Sequence, residues 1–187
     1  MVTSLPPPVP VLAVSGSLRH RSSNTRLLEL VAELAVPDLD VRVFEGIAAL
    51  PHFNPDIDRE EDPVPEAVEA WRSAIRESAG LVISCPEYAH GVPGSFKNGL
   101  DWLVSSTDLL GRPLLVLNAS PMGGEFAQAS LTETLTMLGG TVLPESRLDP
   151  FLPAAFWRER GEAAVAELQS AIGALAAAVR GAGVLPD

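Results

Sequence analysis

Three observations predict a doubly wound parallel α/β sheet between two layers of helices. Short apolar runs at 10–14, 41–44, 81–84, 114–117 and 141–143 alternate with longer segments of helical periodicity. The first, third and fourth of these runs stop at loops of small polar residues. No repeat or linker divides the 187 residues, so one domain spanning 1–187 is expected. Such alternation implies right-handed crossovers, and ligands of such sheets bind beyond the carboxyl ends of the strands where strand order reverses.

Each element has its own warrant. The run at 10–14 is apolar and β-branched, as a buried parallel strand requires. From 24 to 35, Leu27, Leu28, Leu30, Val31 and Leu34 recur at helical spacing behind a capping Ser22 or Ser23. After the second strand, the Pro- and Asp-rich stretch 51–65 reads as a long surface loop. Pro65 opens the second helix, Val68, Trp71, Ile75 and Ala79 form its apolar face, and Gly80 is expected to end it. Pro93 opens the third helix, which carries Phe96, Leu100, Leu103 and Val104. A fourth helix is expected over 125–138 and an Ala-rich fifth over 162–180, with an irregular connection at 148–161 between the last strand and that helix.

Composition excludes several classes of function. A net charge of −11 opposes nonspecific attraction to nucleic acid or anionic lipid, so neither is expected as a partner. No apolar stretch reaches the roughly 18–20 residues of a membrane span. A single Cys builds no disulfide framework, and the N-terminus lacks a basic region before an apolar one, which points to the cytoplasm. Three scattered His and one Cys form no recognisable metal site.

An anion on so acidic a chain must be captured locally, and the loop after the first strand can do it. Ser15, Ser17, Ser22 and Ser23 bring hydroxyls, Arg19 a guanidinium and Asn24 a carboxamide, all leading into a helix N-terminus. A dianionic phosphate needs several directed donors and a positive charge. The same residues would also serve as a Ser-rich turn with a helix cap. The spacing is neither that of a dinucleotide fingerprint nor of a P-loop. The only Cys, Tyr and Lys of the chain fall together in a second loop, Cys85-Pro-Glu-Tyr88-Ala-His-Gly91-Val-Pro-Gly94-Ser-Phe-Lys97-Asn98.

The segments Gly16-Ser-Leu-Arg19 to Asn24, Pro86-Glu-Tyr88, Gly91-Val-Pro-Gly94 and Lys97-Asn98 to Leu103 resemble the NADPH-dependent FMN reductases, which include chromate, quinone and azo-dye reductases. The resemblance covers roughly residues 10 to 140. It implies a flavodoxin-like three-layer α/β/α sandwich with a five-stranded parallel sheet in the order 2-1-3-4-5. It also implies non-covalent FMN, with its phosphate on Ser17, Arg19, Ser22 and Asn24. Pro86, Glu87, Tyr88 and Ala89 would follow the ribityl chain and isoalloxazine edge, largely through backbone groups. Ser120, Gly123 and Gly124 would form a third loop. Relatives commonly carry Asn where this chain has Ala89, and an uninterrupted Gly run where Pro121 and Met122 intervene.

The implied activity is hydride transfer from NADPH or NADH through FMN to a quinone, azo compound, metal oxyanion or free flavin. No side chain need act as acid or base. A flavodoxin-type electron carrier, or a module binding another phosphorylated metabolite, would use a similar pocket. A homodimer or homotetramer is implied, with the third helix and residues 151–157 as contact surfaces. Isoalloxazine wants an apolar wall, which Tyr88 can supply. Cys85 sits where a low-molecular-weight phosphatase has its nucleophile, but Gly91 stands where that enzyme needs Arg, so a small buried hydrophobe is the better reading. His90 is the best-placed titratable group of this loop, although a loop His is usually just solvated.

Overall fold

The computed structural model describes residues 6–59, 63–119, 124–147 and 162–183. Its strands are β1 (Val9–Ser15), β2 (Leu39–Phe44), β3 (Gly80–Ser84), β4 (Pro113–Leu117) and β5 (Thr141–Val142). They form one sheet in the order β2-β1-β3-β4-β5, and every neighbouring pair is parallel. This is the flavodoxin-like order that the resemblance implies.

Alternation along the strands divides the core into two layers. Val11, Ala13, Val82, Leu115 and Leu117 pack with α1 (Ser23–Ala35) and α5 (Glu162–Gly181). Leu12, Val14, Leu81, Ile83, Leu114 and Val116 pack with α2 (Glu66–Arg76), α3 (Gly94–Asp101) and α4 (Glu125–Met137). Buried on both faces, β3 and β4 carry apolar runs, as central parallel strands must. Burial of each Leu or Ile contributes about 1.5–3 kcal/mol.

Four expectations change. Gly80 does not end α2, whose last helical residue is Arg76, but opens β3. A Cβ there would lie 2.7 Å from Val179 Cγ1 and 2.8 Å from the Pro113 carbonyl oxygen, so this glycine answers the close approach of α5 and β4. Val104 lies beyond the end of α3 and is exposed. The strand β5 ends at Val142, its last bond to β4 running from the Leu143 N–H to the Leu114 carbonyl (2.9 Å), and the Ser146 hydroxyl accepts from the Val116 N–H (2.9 Å) where a longer strand would have continued. The irregular connection expected at 148–161 lies outside the described residues.

The stretch after β2 is the fourth. Instead of a free surface loop it holds 3-10 turns at Gly46–Ala49 and Pro55–Ile57 and is pinned to α2 and α3. Asn98 accepts from the Phe53 N–H (2.7 Å) and donates to the Pro51 carbonyl (2.9 Å), to which the Trp102 indole also donates (2.8 Å). Arg72 donates to the Trp102 carbonyl, to Ser105 and to Asp58, whose carboxylate is buried. Asn98 thus anchors this segment, while Lys97 pairs with Asp101 along α3.

Removing one partner of a buried ion pair leaves the other charge uncompensated. Arg72→Ala is therefore expected to lower unfolding free energy by about 3–5 kcal/mol, read by urea denaturation. A loss within ~0.5 kcal/mol, the range of surface substitutions, would show that Asp58 is not held by this pair.

Candidate functional site

The loops after β1, β3 and β4 meet at the carboxyl end of the sheet. Ser22 is the N-cap of α1, its hydroxyl accepting from the N–H groups of Asn24 (3.2 Å) and Thr25 (3.4 Å). Behind it, Ser15 Oγ receives hydrogen bonds from the Ser17 N–H (3.2 Å) and the Thr25 hydroxyl (3.0 Å), and Ser17 Oγ accepts from the Arg19 N–H (3.3 Å). These bonds shape the loop from within. The N–H groups of Leu18, His20 and Arg21 find no acceptor among the described residues, which leaves them for a ligand or solvent.

Asn24 holds the three strand ends together. Its buried Oδ1 accepts from the Ser84 hydroxyl at the end of β3 (2.8 Å) and from the Ala119 N–H after β4 (3.1 Å). Gly16 sets the spacing between the first two loops. Its N–H donates to the Ser84 carbonyl (2.9 Å), and a Cβ on it would stand 2.7 Å from Cys85 Sγ.

The charge at this end differs from the protein as a whole. Arg42, Arg59, Arg72, Arg76 and Arg180 each pair with a carboxylate, and Arg112 is held by backbone carbonyls. Arg19, Arg21 and Arg26 make no ion pair among the described residues, and all three border the N-terminus of α1. On a chain of net charge −11 this is a local positive field at the helix end that already favours anions.

The second loop begins with buried Cys85 and Pro86. Tyr88 and Gly91 exchange both backbone hydrogen bonds (3.0 Å each), closing a two-residue turn in which Ala89 (φ 49°) and His90 (φ 60°) are left-handed. Asn tolerates that conformation better than Ala, so Ala89 holds it only because the turn imposes it. Tyr88 is 54% exposed and available as a wall. Glu87 turns its side chain elsewhere: Oε2 accepts from the Ala127 N–H (2.9 Å) in the first turn of α4. The His90 ring stacks on Phe126 (centroids 4.4 Å apart, planes 13° apart).

Of the third loop, Ser120 and Gly123 lie outside the described residues. Gly124 is the N-cap of α4 and brings no capping side chain. A Cβ on it would fall 1.9 Å from Asn118 Nδ2, so the absence of a side chain makes room for Asn118. Sequence reasoning missed the parts played by Ser84, Thr25 and Phe126. Of these only Ser84, a polar residue closing an apolar run, left a signal in the sequence.

The donor set fits FMN. Loop N–H groups, the Ser17 hydroxyl and the Arg19 guanidinium suit its phosphate, and in the second loop the N–H groups of Glu87 and Ala89, unlike the Tyr88 backbone groups paired with Gly91, suit the polar edge of a planar ring. Among the described residues no group of His, Cys, Asp or Glu could hold a metal ion.

Burial pushes the Cys85 thiol up from 9.0 to about 12, so it stays protonated and inert. The sign follows: the protonated form is favoured by folding, so its contribution to stability is complete below pH 9.0 and is lost towards about 12. A thiol reagent at about pH 9, where an exposed thiol is roughly half ionised, is expected to leave the folded protein unmodified and to label one thiol after denaturation. Rapid labelling of the folded protein would show an accessible thiolate.

A profile of the family described as NADPH-dependent FMN reductase matches residues 9–149. The quinone reductase of Escherichia coli K12 is 35% identical over 137 residues, covering 71% of this chain and 72% of the relative. An NAD(P)H-dependent FMN reductase of Pseudomonas aeruginosa is 33% identical over 134 residues, covering 70% and 71%. Among solved structures, the flavoenzyme NAD(P)H:(acceptor) oxidoreductase FerB of Paracoccus denitrificans superposes with a TM-score of 0.78 at 26% identity, covering 92% of this chain and 98% of that one. Sheet order, loop motifs and relatives agree, and the chain belongs to the NADPH-dependent FMN reductase family.

Proposed function

We propose that this protein is an FMN-dependent NAD(P)H oxidoreductase whose acceptor is a quinone. The convergence of three strand-end loops on Asn24, beside an N-terminus of α1 bordered by three arginines that make no ion pair among the described residues, carries the reading. Ser17 and Arg19, with the free loop N–H groups, hold the phosphate. Ser22 and Asn24 join them: Ser22 Oγ and Asn24 Oδ1 accept from protein donors and so fix the loop, which leaves the Ser22 O–H and the Asn24 Nδ2 as the groups that donate to the phosphate. The backbone of Pro86, Glu87, Tyr88 and Ala89 meets the ring edge, and Ser120, Gly123 and Gly124 close the third side.

Bound FMN would supply the redox chemistry, taking a hydride from NADPH or NADH and returning reducing equivalents to the acceptor. The protein's part is to bind and orient. No side chain is assigned as acid or base: Cys85 is locked as a thiol and the His90 ring is engaged with Phe126. The quinone is favoured over an azo compound, a metal oxyanion or free flavin because the Escherichia coli relative is named a quinone reductase. Membership of a reductase family weighs against a carrier or a metabolite-binding module. The proposed assembly is a homodimer or homotetramer, with α3 as a contact surface. Residues 151–157, the other expected surface, lie outside the described residues.

A charge-assisted hydrogen bond contributes about 1.5–3 kcal/mol. Arg19→Ala is therefore expected to weaken FMN binding roughly 10- to 100-fold by titration of cofactor-free protein, while His90→Ala leaves turnover within about threefold. An Arg19→Ala protein that binds FMN with the parent's affinity in that titration would refute the phosphate assignment.

A further inference from the structure

The side chain of Glu87 has a place that the flavin reading does not require. It reaches from the second loop to the first turn of α4, a helix whose own N-cap, Gly124, has nothing to offer its free N–H groups. A carboxylate there satisfies one of those donors and meets the positive end of the helix dipole. Three residues on, His90 stacks on Phe126, the residue before Ala127. Between the two ties lies the turn with left-handed Ala89 and His90, a conformation that non-glycine residues keep only where their surroundings hold it.

We infer that Glu87 is a positioning residue: by capping α4 across the site it locks the second loop and the start of the third loop's helix into one unit, so that both sides of the FMN ring site keep a fixed separation. The inference rests on the proposed flavin site. It assigns the carboxylate to the helix rather than to the cofactor, whose ring edge is left to the backbone of 86–89. The important property of Glu87 is then the acceptor oxygen and not the charge, because a neutral carboxamide can also accept from the Ala127 N–H.

Two variants separate the possibilities. Losing this tie frees one side of the ring site, so Glu87→Ala is expected to weaken FMN binding roughly tenfold, whereas Glu87→Gln stays within about threefold of the parent. Amide hydrogen exchange of the same proteins without FMN gives the second readout. Exchange at Ala127 should rise in Glu87→Ala and remain slow in Glu87→Gln, with the remainder of α4 unchanged. If carboxamide and alanine weaken FMN equally while the Ala127 amide stays protected in the former, the charge acts on the cofactor and the inference fails. Parent-like affinity and exchange in Glu87→Ala would overturn it as well. Should the parent protein not bind FMN, the site reading fails, and the Ala127 amide alone still decides whether the tie exists.

Discussion

One buried carboxamide oxygen organises the working end of this protein. Asn24 lies in the first turn of α1, yet its Oδ1 takes hydrogen bonds from the end of β3 and from the segment after β4. Three loops distant in sequence therefore share a single acceptor at 3% exposure. Each bond contributes only about 0.5–1.5 kcal/mol, but an unsatisfied donor at such a site costs about 1–3 kcal/mol, so the arrangement tolerates little drift. Gly16 adds the steric half of the constraint, because any side chain there would meet Cys85. The parallel sheet sets the loops side by side, and these two residues decide how closely.

That geometry explains how an acidic protein can hold an anionic cofactor. Long-range attraction is absent at a net charge of −11. Binding then depends on short-range donors: the end of α1, the loop N–H groups and guanidinium groups not consumed by neighbouring carboxylates. Elsewhere the charged side chains are used structurally. Arg72 locks the segment after β2 through Asp58, and Arg112 donates to carbonyls near the C-terminal end of α2, including that of Ser78, where cations are favoured. Among the described residues, Arg19, Arg21 and Arg26, beside the N-terminus of α1, make no ion pair.

Much of this was legible in the residues. Short apolar runs and period-3.6 patterns placed all five strands and five helices to within a few residues, because strands buried on both faces must be apolar throughout. Of the first loop, the helix cap was readable, because Ser directly before an amphipathic run has that use, and Ser22 is the N-cap of α1. Position 80 was misread because Gly often ends helices, whereas here a long-range contact with Val179 requires it. The pinning of 51–58 was invisible for a similar reason: Asn98, Trp102 and Arg72 act across 14 to 51 residues of sequence. The ring-edge expectation for Glu87 concerned its backbone, and the tie of its carboxylate to the Ala127 N–H, 40 residues away, left no signal in the sequence.

The central claim is that three strand-end loops hold a flavin that NAD(P)H reduces. Its most direct test is the visible absorption spectrum of the protein after loading with FMN and desalting, recorded before and after anaerobic addition of NADPH. The account predicts retained flavin bands that bleach on addition. Bands that persist unbleached would contradict the reductase, and a colourless protein would contradict the flavin site itself.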